Sequence, residues 1–134
     1  MDRMTRQRKG MRRYRGAALA EAAIVMSLLM MVTLGAIEYG WLFVNIQRIT
    51  NAARHGARIE SRLDALPGAA ETAMKVLLSD LPDTVTCSVS TASGVVTATA
   101  SVPTDDVRLI HWDMLPAPPM LQATVKMAKE GNNP

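Results

Sequence analysis

An uncharged run over residues 22–37 constrains this chain more than any other feature of its sequence. The run reads AAIVMSLLMMVTLGAI, which is too apolar on every side to be one face of a surface helix. Single carboxylates, Glu21 and Glu38, bracket it, and apolar sequence resumes for six further residues. As a helix, residues 17–44 extend about 40 Å, whereas the hydrocarbon core of a bilayer is ~30 Å thick. We therefore predict a transmembrane helix over residues 17–44.

Charge divides the chain at residue 16. Residues 1–16 hold seven basic side chains against one acid, a balance of +6, whereas from Ala17 onward eight basic residues face eleven acids, a balance of −3. The basicity therefore belongs to a short tip and not to a folded surface, which argues against nucleic-acid binding. By the positive-inside rule, the N-terminus is cytoplasmic and the region after residue 44 lies outside. Aromatic side chains favour the headgroup layer, and the residues predicted at the outer membrane interface are Glu38, Tyr39, Trp41 and Phe43.

Helical periodicity continues beyond the apolar segment. Apolar side chains recur at near-helical spacing over residues 45–66, and Pro67 is the first proline. The sequence thus predicts one long helix from Ala17 to Leu66, transmembrane in its lower half and amphipathic in its upper half. The arginines at four-residue spacing form a polar ridge that is either solvated or a contact surface for a partner: Arg54, Arg58 and Arg62.

The remaining residues, 67–130, predict a small exported α+β domain. Pro67-Gly68 breaks the long helix, and residues 69–81 predict a second, shorter helix. Its predicted apolar face consists of Ala73, Val76, Leu77 and Leu81. Apolar residues then recur at every second position on either side of Ser93-Gly94, which is typical of a β-hairpin, and residues 120–128 predict a final strand after a loop. The expected fold class is α+β, with the long helix on an antiparallel sheet of three or four strands and a disordered tail at 131–134.

The junction between the basic tip and the apolar segment carries the sharpest motif. Gly16 and Ala17 lie at the membrane edge, and Glu21 follows inside the apolar helix. A carboxylate costs ~2 to 3 kcal/mol deep in a bilayer, so it requires a partner. Cleavage after Gly16 would create a cationic α-amine at Ala17, one helical turn from Glu21. The alternative is that Glu21 lies in the headgroup region of an uncleaved anchor.

Over residues 15–58, the sequence resembles the TadE-like pseudopilins of the tight-adherence (Tad) system, which assembles Flp-type pili. The resemblance covers about a third of the chain and depends on several motifs in order. These motifs are Gly16 and Glu21 at the family's cleavage spacing, Gly35 before IEYG at 37–40, and TNAAR at 50–54 followed by GAR at 56–58.

The resemblance implies a pilin-like fold, with residues 1–16 as a prepilin leader removed between Gly16 and Ala17 by a prepilin peptidase. It also implies residence in the bacterial inner membrane through a single span, with the C-terminal domain periplasmic or extracellular. Glu21 would pair with the new amine at Ala17. The implied partners are the prepilin peptidase, other pilins or pseudopilins and the Tad assembly machinery.

No motif in the sequence predicts an enzyme, a cofactor or a small-molecule substrate. His55 and His111 are far apart and lack ligand-spaced partners, so a metal site is not expected. The hydroxyl residues form no nucleophile elbow, and the glycines form no phosphate-binding loop. Cys87 is the single cysteine, so it is either an inward-facing strand residue or the site of an intermolecular disulfide.

Two other interpretations differ in where the mature chain begins. In one, residues 1–35 are an ordinary signal peptide cut after Gly35, and a soluble periplasmic binding module begins at Ala36. In the other, the leader is never cut and the protein is a generic signal-anchored binding module. Against the signal peptide, apolar sequence continues through Val44 into the helix without a break.

Overall fold

A computed structural model describes residues 2–110 and 116–131, with side chains described over 16–110 and 116–131. The order of elements is α1 (Asp2–Glu60), α2 (Ala69–Leu77), β1 (Thr86–Ala92), β2 (Val95–Pro103), α3 (Thr104–Val107) and β3 (Met120–Ala128). This α+β arrangement confirms the predicted fold class. Of the predicted features, the side chains of the basic leader, His111 and the last three residues of the tail lie outside the described residues.

Helix α1 ends at Glu60, six residues earlier than the predicted end at Leu66. The Ser61 N–H donates to the Ala57 carbonyl at 3.0 Å, which completes the last helical turn. The carbonyl of Ser61 instead accepts the Glu130 N–H at 2.8 Å, just beyond the end of β3. Because a distant residue takes this acceptor, the chain leaves the helix here, and Leu63 and Leu66 remain exposed.

The sheet has three antiparallel strands in the order β1-β2-β3. Strands β1 and β2 form the predicted hairpin, in which Ala92 pairs with Val95 across a two-residue turn. Ser93 and Gly94 have φ values of 51° and 74°, the left-handed conformation that both central residues of a type I′ turn adopt. The predicted alternation holds on β3, where Leu121, Ala123, Val125 and Met127 face inward.

The core lies between one face of α1 and the inner face of the sheet. The buried apolar residues on α1 are Leu42, Ile49, Ala52, Ala53 and Ala57. Strand β2 supplies the centre of the opposing layer with Val96, Ala98, Ala100 and Val102. Alanines dominate the central part of α1, so the helix backbone can approach the sheet closely. The outer face of the sheet is polar and rich in hydroxyl side chains.

Helix α2 buries a different face from the predicted one. The prediction placed Val76 and Leu77 inward, but these side chains are 67% and 54% exposed. Ala70, Met74 and Leu78 are buried instead, and Leu81 is partly buried as expected. The physical reason is Gly56 on α1. A methyl group added at Gly56 would lie 2.6 Å from Met74 Cγ, so the space left by this glycine accommodates Met74.

The chain divides into two compact units, Met1–Ile37 and Glu38–Pro134. All core residues that the structure describes belong to the second unit. The second unit begins at Glu38, inside the segment 17–44 that was predicted to span the membrane. Glu38 and the helical turn that follows it are therefore part of the folded domain. Residues 104–107, predicted as part of a loop, form α3, whose Thr104 and Val107 are buried.

Candidate functional site

The predicted cleavage position lies in an open part of α1. Gly16 and Ala17 are exposed, and a Cβ atom built at Gly16 meets no atom within 4 Å. Packing in the described chain therefore does not require glycine at this position. Glu21 is also exposed and forms no ion pair with a described residue.

The apolar side chains of the helix that follows are exposed over residues 17–33. Leu19, Ile24 and Met26 are 72%, 70% and 69% exposed. The two hydroxyls in this segment, Ser27 and Thr33, donate to the carbonyls of Ile24 and Leu29, each at 2.8 Å, so these polar groups are satisfied within the helix. Within the described residues, one helix is long and apolar enough to cross a membrane, and it is a candidate membrane anchor.

Glu38 is buried inside the folded domain, with 1% of its surface exposed. Its Oε2 accepts the backbone N–H of Ile110 at 2.9 Å, and its Oε1 lies 3.9 Å from Nε of Arg108. The Arg108 side chain is 10% exposed, and its Nη1 also lies 3.6 Å from Asp105. The cation closest to Glu38 is therefore supplied by the same chain.

The neighbouring aromatic residues hold the same region between β2 and β3. Trp41 donates from Nε1 to the Val107 carbonyl at 2.8 Å, and the Tyr39 hydroxyl donates to the Pro116 carbonyl at 2.8 Å. Phe43 is 63% exposed. Glu38, Tyr39 and Trp41, which lie within about one turn of α1, thus form hydrogen bonds with the segment after β2. The location of Glu38 and the three aromatic residues at a membrane interface stays a prediction.

The arginine ridge is only partly a feature of α1. Arg54 and Arg58 are exposed on the helix, whereas Arg62 lies beyond its end. Arg54 and Arg58 line an open groove of about 420 Å³ that also includes His55 and two side chains of β3. The structure therefore brings two of the three predicted arginines together and leaves the third outside the groove.

The sequence did not predict a role for Arg108 or Asn45. Arg108 is the single arginine or lysine in the sequence between β2 and β3, which is the one signal that could have suggested a partner for Glu38. Asn45 is fully buried on α1, and its side-chain amide forms no hydrogen bond with the described residues. It lies two helical turns after Glu38, on the face that packs against the domain.

Cys87 faces inward on β1 and is half-buried, as the alternating pattern predicted. Burial raises the pKa of its thiol above the usual value, with Glu71 also raising this pKa and Lys75 opposing the shift. The thiol is therefore mostly protonated near neutral pH and is a poor nucleophile. The described residues contain no group of three potential metal ligands.

The exposed apolar helix and the packed sheet define an α+β protein with a candidate N-terminal membrane anchor. A family model described as "TadE-like protein" matches residues 16–58, about a third of the 134-residue chain. This match confirms the resemblance seen in the sequence and associates the chain with the Tad pilus system. TadE-like proteins are structural pilus components and not an enzyme family. Comparisons with curated proteins and with solved structures gave no match.

Proposed function

We propose that this chain is a TadE-like pseudopilin, a minor structural or assembly component in the biogenesis of Flp-type tight-adherence pili. The observation that carries the proposal is the TadE-like match, which begins at Gly16 and includes the entire exposed apolar segment. In this role the protein resides in the bacterial inner membrane with its N-terminus cytoplasmic and the domain after residue 44 on the outer side. Its partners are a prepilin peptidase, other pilins or pseudopilins and the Tad assembly machinery.

The environment of Gly16 supports processing at this position. Because the surroundings of Gly16 are open, packing within the chain does not explain why this residue is a glycine. Recognition by a peptidase, which must bring its own groups close to the backbone, does explain it. Gly16 and Ala17 are both exposed, so no packed part of the described chain covers the peptide bond between them.

Cleavage also supplies a partner for Glu21. The new α-amine at Ala17 and the Glu21 carboxylate are four residues apart, so they lie about 6 Å apart along a helix axis and on one face. Glu21 is exposed in the uncleaved chain and forms no ion pair with a described residue. The amine can pair with this carboxylate or with that of a neighbouring subunit, which lowers the cost of a charge near lipid.

The proposal is tested by determining the N-terminus of the membrane-extracted protein by intact mass. We expect a terminus at Ala17. A terminus at Ala36 would instead support the secreted binding module, and an intact Met1 would support the uncleaved anchor. Gly16→Phe should leave the leader attached, whereas the matched variant Gly40→Phe, another helix position with open surroundings, should be processed normally.

The assembly role requires a second measurement. Glu21→Ala should still be processed, because the cleavage site is intact, but should reduce the number of pili on the cell surface. Electron microscopy of cells expressing each variant gives this count. Wild-type numbers of pili in both Gly16→Phe and Glu21→Ala cells would contradict the proposal.

A further inference from the structure

A basic groove runs along one side of the folded domain, between the upper part of α1 and the edge strand β3. Its volume is about 420 Å³. The residues that line it, which define the basic groove from here on, are Asn51, Arg54, His55, Arg58, Val125 and Met127. All of them belong to the compact unit Glu38–Pro134.

The two arginines of the basic groove lack compensating charges. Arg54 and Arg58 are exposed and form no ion pair with any described residue. Like charges one helical turn apart repel each other, so this pair weakens α1 unless an anion lies between or above the two guanidinium groups. The chain from Ala17 onward has a net charge of −3, so the groove is a cationic site on an acidic body.

The floor of the basic groove sets a second requirement for any ligand that binds there. Val125 and Met127 are partly buried members of the core that remain accessible from the groove. They lie on β3, which pairs only with β2 within the described residues. A ligand that fits this site must therefore bring carboxylates for the arginines and apolar groups for the floor.

The chain itself carries a surface of this chemistry on and after α2. Val76 and Leu77 are exposed apolar side chains, and Asp80 and Asp83 follow them in the turn before β1. These four residues define the acidic surface. Asp80 and Asp83 form no ion pair with a described residue, whereas Asp105 on α3 already lies 3.6 Å from Arg108. Exposed apolar residues that lie close in sequence to two acids without a described ion-pair partner match the basic groove in both charge and polarity.

We propose that the basic groove of one copy binds the acidic surface of a second copy of this chain. The two surfaces are different parts of the domain, so the contact is heterologous and leaves one free groove and one free acidic surface at the ends of each pair. Further copies can then add in the same way, which produces a linear array instead of a closed dimer unless the rotation closes into a ring. This self-contact goes beyond the proposed function, because it does not depend on leader cleavage.

Site-directed crosslinking of the full chain in detergent tests the contact. In a Cys87→Ser background, His55→Cys places a thiol in the groove of one chain, and Ser79→Cys places a thiol beside the acidic surface of a second, tagged chain. Mixing the two under mild oxidation should give the mixed disulfide. Arg54→Glu with Arg58→Glu in the groove chain should lower its yield about tenfold, as should Asp80→Arg with Asp83→Arg in the tagged chain. Combining both reversals should restore the yield.

Two further measurements separate this contact from other causes of crosslinking. Arg62→Glu reverses the charge of one exposed arginine outside the basic groove and should leave the yield unchanged. Raising the salt concentration to ~1 M, where the Debye length is about 3 Å, should lower the yield for the unreversed pair without any charge substitution. Thermal unfolding of each variant identifies any that fail to fold.

A mixed disulfide that forms equally in all four charge combinations and at both salt concentrations would overturn the proposal. So would the absence of a mixed disulfide. If the groove thiol were instead trapped by a different pilus component in cells, the occupant would be that protein and the self-contact would be wrong. None of these outcomes alters the N-terminus, so the pseudopilin proposal is judged separately.

Discussion

Glu38 shows how one residue connects the long helix to a segment far along the chain. Burying a carboxylate is costly unless hydrogen bonds and a cation compensate for the lost water. Here the Ile110 N–H, 72 positions along the chain, donates to Oε2, and Arg108 lies close to Oε1. Since Arg108 is also largely buried, each charge depends on the other. Tyr39 and Trp41 add hydrogen bonds to the same segment from the same turn of α1.

At the residue scale, we predict that Glu38→Gln lowers the free energy of unfolding by about 2 kcal/mol, because the neutral amide no longer compensates Arg108. Thermal unfolding in detergent, followed by circular dichroism, measures the change. Glu21→Gln is the matched control: Glu21 is exposed, so this substitution should change the free energy by less than about 0.5 kcal/mol. Equal effects of the two substitutions would show that the contacts of Glu38 do not stabilise the domain.

At the scale of elements, the contact between α1 and α2 depends on a single glycine. Gly56 is buried, and the side chain of Met74 occupies the space that a Cβ atom would need. Met74 is fully buried, so it cannot move out into solvent without opening the core. The missing side chain at position 56 therefore sets which face of α2 turns inward.

A comparison of two alanine substitutions tests this contact. Gly56→Ala should lower the free energy of unfolding by about 1 kcal/mol, since overpacking outweighs the gain in helix propensity. Gly40→Ala adds the same methyl group where no atom lies within 4 Å, so it should stabilise the helix by up to about 1 kcal/mol. Denaturant unfolding of both variants gives the sign of each change. A stabilising Gly56→Ala would mean that Met74 adjusts freely and that the glycine does not determine the orientation of α2.

At the scale of the whole molecule, the chain combines two units with opposite solvent requirements. In the unit Met1–Ile37, the described residues 17–33 form an exposed and mostly apolar stretch of helix, whereas the hydrophobic core of the described residues lies within Glu38–Pro134. Among the described residues, no member of the hydrophobic core lies before Leu42. The domain therefore has the interactions that it needs to fold without the anchor.

We predict that a fragment starting at Ala36 folds by itself in water. Its thermal transition should be cooperative, and its circular dichroism should show both helix and strand, because all core residues are retained. Gel filtration without detergent measures its state in solution, and the full chain provides the comparison. A fragment that aggregates or lacks a cooperative transition would mean that residues before 36 stabilise the domain.

Local patterns predicted the elements of this protein well. Alternation of apolar and hydroxyl residues identified the hairpin and β3, and Ser93-Gly94 identified the turn. The buried face of α2 was predicted wrongly, because this helix has two apolar faces. One consists of Ala73, Val76 and Leu77, and the other consists of Ala70, Met74 and Leu78. Periodicity cannot choose between two such faces, because the choice depends on the shape of the surface opposite. It also misplaced the end of α1, which depends on a hydrogen bond from Glu130.

The sequence by itself determined the apolar helix, the basic tip before it, the TadE-like motifs and the α+β class. These properties depend on the solvent preference and backbone preference of neighbouring residues, which can be read along the chain. Only the tertiary structure decided that Glu38 pairs with Arg108, that Met74 fills the space at Gly56, and that Arg54 and Arg58 line a groove with β3. Each of these contacts joins residues that are distant in sequence, so it exists only once the chain has packed.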